Sequence, residues 1–92
     1  MYSIISKGTR SILNYRTNHS GSTYPLPISA EDAQALILAA FKAPDTEPRA
    51  ELHGVLADKM ATGVRVRIVG DNSHFDLPWS AIAQGIEIKE PA

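Results

Sequence analysis

The stretch SAEDAQALILAAFKAP, Ser29 to Pro44, decides how the rest of the chain must be arranged. Ser29 stands where an N-cap oxygen accepts a backbone N–H. Asp32 follows three residues later as a short capping-box acid, and Glu31 and Asp32 complement the positive end of a helix dipole. Ala33, Leu36, Ile37, Ala40 and Phe41 recur at i, i+3, i+4, i+7 and i+8, drawing one apolar stripe down a helix face. Pro44 ends the run, because its ring disfavours helical conformation in the residue before it. The spacing predicts a helix from about Ala30 to Lys42 whose stripe must lie on an apolar sheet.

Upstream, Tyr2 to Ser6 and Ser11 to Tyr15 are short, β-branched and aromatic around a Lys7-Gly8-Thr9 turn, the pattern of a β-hairpin. Period-two alternation puts Leu13 and Tyr15 on one face and Arg10, Ile12, Asn14 and Arg16 on the other. Small polar residues around Gly21, followed by Pro25 and Pro27, predict an exposed loop over residues 17–27.

Downstream, residues 45–63 carry two patterns. Leu52, Val55, Leu56 and Met60 have helical spacing, whereas Leu52, Gly54 and Leu56 suit a strand with a bulge. Early acids at Asp45, Glu47 and Glu51, a late Lys59, and Gly63 at a left-handed C-terminal position favour a second helix. His53 then falls on that helix's surface. Val64, Val66 and Ile68 alternate with Arg65 and Arg67, and a Gly70-Asp71-Asn72 turn leads to Phe75 to Leu77, a second hairpin. Asp71 or Asn72 is expected to supply its left-handed residue. Trp79 to Gln84 suits one helical turn, with Trp79 a lid on the core, and Ile86 to Ile88 a last strand. The expected fold is α+β: a single domain over residues 1–92, with an antiparallel sheet of two hairpin regions covered by one or two helices.

Composition narrows the function classes. With 43% hydrophobic and 21% charged residues the chain is globular, and no cysteine means no disulfide framework, thiolate metal site or thiol nucleophile. The longest apolar run, Ala35 to Phe41, is far short of the roughly 20 residues of a membrane span, so a cytoplasmic protein without membrane contact is expected. Residues 1–28 hold Lys7, Arg10 and Arg16 and no acid, while residues 29–92 hold six basic and ten acidic residues. That imbalance, +3 against −4, marks the N-terminal segment as a charged contact surface.

Within that segment Lys7, Arg10, Asn14, Arg16, Asn18 and His19 interleave with Tyr15 and Tyr24. Cations of this kind hold phosphates or acidic groups, and ring faces stack on bases. Arg65 and Arg67, two apart on a strand, set two guanidinium forks about 7 Å apart and extend the patch, or pair with Asp76 or Glu87. The oxygen and imidazole groups of Asp71 to Asp76 match neither an EF-hand loop nor a helical His pair, so no metal is expected. A nucleophile elbow, a Gly-rich phosphate loop and close carboxylates in an apolar setting are all missing. The sequence therefore reads as a protein without catalytic residues, cofactor or small-molecule substrate.

In its small size, lack of cysteine and catalytic motif, α+β pattern and polar arm, the chain resembles the small phage-encoded anti-CRISPR proteins of the type I-F class. Met1 to Tyr24 carries most of that resemblance. It implies a non-catalytic inhibitor that binds the Cas proteins of a crRNA-guided surveillance complex, and its crRNA, in the host bacterial cytoplasm. Target DNA would thereby be blocked. The other expectation is a small structural or assembly protein joined through a sheet edge in an oligomer.

Overall fold

The computed structural model describes residues 1–91. Its elements run β1 (Tyr2–Lys7), β2 (Arg10–Arg16), β3 (Gly21–Leu26), α1 (Ala30–Lys42), β4 (Arg49–Leu52), β5 (Val55–Lys59), β6 (Gly63–Ile68), β7 (Phe75–Pro78), α2 (Trp79–Gln84) and β8 (Glu87–Lys89). Two four-stranded sheets result, ordered β3-β2-β1-β8 and β4-β5-β6-β7. Every neighbouring pair is antiparallel except β1 and β8, which run parallel and bring the two ends of the chain together. The α+β class holds, with the strands divided between two sheets.

Helix α1 starts and stops where its sequence signals lie. Ser29 Oγ accepts from the Asp32 N–H at 3.1 Å, and Lys59 Nζ donates to the Ala43 carbonyl at 3.0 Å beyond the last turn. Its buried side is Ala30, Ala33, Leu36, Ile37 and Ala40, and the helix packs on strands of both sheets. Phe41, expected on the same stripe, is instead 47% exposed and sets its ring edge-on to Trp79 at 5.8 Å. Phe41 lies at the margin of the stripe, beside the fully buried Ala40. Beneath the helix, Ile4 and Leu13 of the first sheet meet Val55, Ala57, Val64 and Val66 of the second in one core. Trp79 is half-buried against that core and donates Nε1–H to the Ala61 carbonyl at 2.9 Å.

Three expectations are corrected. Residues 45–63 form no helix: β4 and β5 are a hairpin, with Leu52 directly opposite Val55. His53 (φ 48°) and Gly54 (φ 80°) both take positive φ between them, the geometry of a type I′ turn, so His53 sits at a turn tip. The apparent helical period arose because Leu52 and Val55 are cross-strand partners on the core face, while Leu56 lies on the opposite one. Gly63 is no helix cap either. It begins β6, where an added Cβ would lie 1.9 Å from the Leu77 carbonyl oxygen, so close strand approach is what demands glycine.

Within the expected loop over 17–27, residues Gly21–Leu26 are a strand paired along β2. Only a tight turn separates them, held by Thr17 Oγ1, which accepts the His19 and Ser20 N–H groups at 3.3 and 3.0 Å. Pro25 is tolerated because β3 is the edge of its sheet. In the β6–β7 connection the positive φ belongs to Gly70 (87°), not to Asp71 or Asn72.

Candidate functional site

The structure separates the predicted residues into three environments. Sheet pairing settles which side chains share a face, since directly opposed residues point the same way.

The outer face of the first sheet holds the N-terminal cations. Lys7 lies opposite Arg10; Ile5 lies opposite Ile12, which lies opposite Pro25; and Ser3, Asn14 and Thr23 form the next row. Parallel pairing sets Lys89 beside Ile5 and Glu87 beside Ser3 on this same face. Arg16 closes the far end, six residues or roughly 20 Å along β2 from Arg10. Asn14 Nδ2 donates to the buried Ser3 Oγ at 3.3 Å, which fixes the amide in the sheet surface. Asn18 and His19 lie exposed in the turn beyond Arg16. Among the described residues, Lys7, Arg10, Arg16 and Lys89 make no ion pair.

The outer face of the second sheet is charged but internally neutralised. Arg49, Asp58, Arg65 and Asp76 occupy one row across all four strands, alternating in sign. Arg49 Nε bonds Asp58, and Arg65 grips Asp76 with a forked contact of 2.8 and 3.3 Å. Arg67 Nε stands 3.9 Å from Asp58, and His74 Nε2 3.6 Å from Asp76. The Arg65 contact holds the Asp76 carboxyl below its usual range, and Asp76 in turn raises Arg65. Arg65 and Arg67 thus lie on a different sheet from the N-terminal cations, and their partners are in the chain itself.

The tyrosines face inward. Tyr24 is buried, and its hydroxyl donates to Asp71 Oδ2 at 2.7 Å and accepts the Ile68 N–H at 3.0 Å, clamping the first sheet to the second. Burial, then the Asp71 contact, raises its pKa, while the Tyr24 hydrogen bond lowers that of Asp71. This corrects the expectation that Tyr24 offers a ring face to a partner. Tyr15 points to the same inner side and is half-buried, its ring centroid 4.5 Å from that of Tyr2. Tyr2 in turn meets Phe75 edge-on at 6.1 Å, and burial followed by the neighbouring Tyr15 raises the Tyr2 pKa. The rings are therefore on the other side of the sheet from the free cations.

One contributor to the open basic face escaped the sequence: Lys89. Its alternation with Ile88 was readable, but not the parallel return of the last strand beside β1. Chemically, this face can bind anions along a strip about 20 Å long, with Ile5, Ile12 and Pro25 as an aliphatic middle. No helix of the described residues is long and apolar enough to cross a membrane. Compared with protein-family models, curated proteins and solved structures, the chain finds no match.

Proposed function

We propose that the protein is a non-catalytic binding protein that docks the outer face of its first sheet on an anionic partner, and that this partner is the crRNA-guided surveillance complex of a type I-F CRISPR system. On this reading it works in the bacterial cytoplasm as a stoichiometric inhibitor, covering surface that target DNA needs. One observation carries the reading: Lys7, Arg10, Arg16 and Lys89 share an open face and lack carboxylate partners among the described residues, whereas on the other sheet Arg49, Arg65 and Arg67 pair with Asp58 and Asp76. Unpaired cations on one face steer and hold an anionic surface. The resemblance in size and character to small anti-CRISPR proteins supplies the partner's identity.

An assembly role through the edges of the first sheet finds less support. The edge strand β3 carries Pro25, and the edge strand β8 is only three residues long, both devices that discourage strand addition. The test is titration of target-DNA binding by a purified type I-F surveillance complex. Binding should fall linearly and end at a fixed ratio of protein to complex, and a Lys7→Glu/Arg10→Glu variant should lose the effect. Unimpaired DNA binding at saturating protein would refute the inhibitor.

A further inference from the structure

At the turn end of the open face, a groove of about 560 Å³ runs between the β1–β2 turn and the ends of β3 and β6. Ile12, Pro25, Pro27 and Ile68 line it, and Lys7 and Arg10 stand at its rim. We propose that this groove receives an extended segment of a partner protein in which aliphatic side chains are flanked by carboxylates. The proposal rests on the docking face above and names the chemistry of the group that docks there.

Three observations lead to this occupant. First, Lys7 and Arg10 are directly opposed across the strand pair, a like-charge arrangement that disfavours itself and is relieved by an anion bound between them. Second, the groove is aliphatic. Single-stranded nucleic acids are gripped by cations interleaved with stacking rings, and Tyr2, Tyr15 and Tyr24 all turn to the inner side of this sheet. Aliphatic walls under cationic rims match a leucine or isoleucine beside aspartate or glutamate. Third, Pro25 and Pro27 remove two N–H donors from the backbone next to the groove, so the occupant is held by its side chains and not by adding a strand.

The probe is a blocked hexapeptide of two leucines flanked on each side by two aspartates, titrated into the isotopically labelled protein and followed by amide NMR. Shifts should gather at Lys7, Arg10, Ile12, Leu26 and Ile68, with a Kd below about 1 mM, and Arg10→Glu should weaken binding at least about tenfold. Arg65→Glu should leave it unchanged, and unperturbed amide dispersion in Arg10→Glu shows that the variant folds. A peptide with lysines in place of the aspartates should not bind. Absence of binding at several millimolar overturns the groove, and so does a 12-nucleotide oligouridylate that moves the same amides at lower concentration. Peptide binding together with failure to bind the surveillance complex would keep the groove and remove that complex as partner. Full inhibition of the complex by Arg10→Glu would remove the groove and leave the inhibitor.

Discussion

Arg65 and Asp76 face each other across β6 and β7 and join through both guanidinium and both carboxylate contacts, Nε to Oδ1 at 2.8 Å and Nη2 to Oδ2 at 3.3 Å. The pair consumes the charge that made Arg65 attractive as a contact residue. It also couples the second sheet to pH. The folded Asp76 pKa lies below its ordinary 3.8, so the charged carboxylate is favoured by folding. That stability is present above the unfolded value and is lost as pH falls through the lowered folded one. Asp71 is shifted in the same direction by Tyr24 and adds to the effect. Urea unfolding should show a midpoint that drops between about pH 5 and pH 2. An Asp71→Asn/Asp76→Asn variant should start less stable at neutral pH and show a flatter acid limb; an acid limb identical to that of the parent would contradict the assignment.

Tyr24 makes the opposite prediction at high pH. Its pKa is raised above 10.0, so folding favours the neutral phenol. Its contribution is complete below the unfolded pKa and disappears as pH rises through the folded one. Tyr24→Phe keeps the ring but leaves the Ile68 N–H and Asp71 Oδ2 without their partner. A loss of about 1–2 kcal/mol is expected at pH 7, with a shallower decline above pH 10 than the parent shows. Denaturant curves at pH 7 and pH 10.5 measure both.

Glycine substitutions separate two physical demands. At Gly63 an added Cβ would strike the Leu77 backbone, and a carbonyl cannot rotate away as a side-chain tip can. Gly63→Ala should cost at least about 3 kcal/mol or prevent folding. At Gly54 the space is open and only the positive φ resists a side chain, so Gly54→Ala should cost about 1–2 kcal/mol. His53→Asn should stabilise by several tenths of a kcal/mol, about what a better type I′ residue supplies. Thermal unfolding of the three variants ranks these effects, and an order with Gly54→Ala worst would contradict the reported geometry.

The elements legible in the sequence are those whose local signals agree with their tertiary setting. In α1 the cap, period and stop all coincide, and in β1–β2 and β6–β7 alternation brackets recognisable turns. The miss over residues 45–63 came from His53, which occupies a left-handed turn position where Asn or Asp would have announced a hairpin. β3 was hidden by its prolines, whose tolerance depends on lying at a sheet edge, and edges are decided by pairing far along the chain. The same limit governed the site. Alternation correctly grouped Arg10, Asn14 and Arg16 on one face. Whether Arg65 and Arg67 joined them depended on the division into two sheets, and whether Lys89 did depended on a parallel pairing of the chain's ends.

That division makes the last prediction a contrast between a face whose cations are unpaired and one whose arginines are paired within the chain. Glutamate substitution of Lys7, Arg10 or Lys89 places an acid on a surface with no compensating partner among the described residues, so binding of an acidic partner should weaken at least about tenfold for each. Glutamate at Arg65 or Arg67 disrupts the intramolecular ladder instead and should lower the melting temperature slightly while leaving affinity within about twofold. The salt response adds a second reading of the same surface. Three or four contacts to nucleic-acid phosphates predict a slope of roughly −2 to −3 in log affinity against log salt. Contacts to carboxylates on a folded partner predict a shallower one, because no condensed counterion atmosphere is released. Affinity for the surveillance complex at several salt concentrations, measured for the parent and for Arg10→Glu and Arg65→Glu, tests both. Equal losses at Arg10 and Arg65 would mean that the second sheet also takes part in binding.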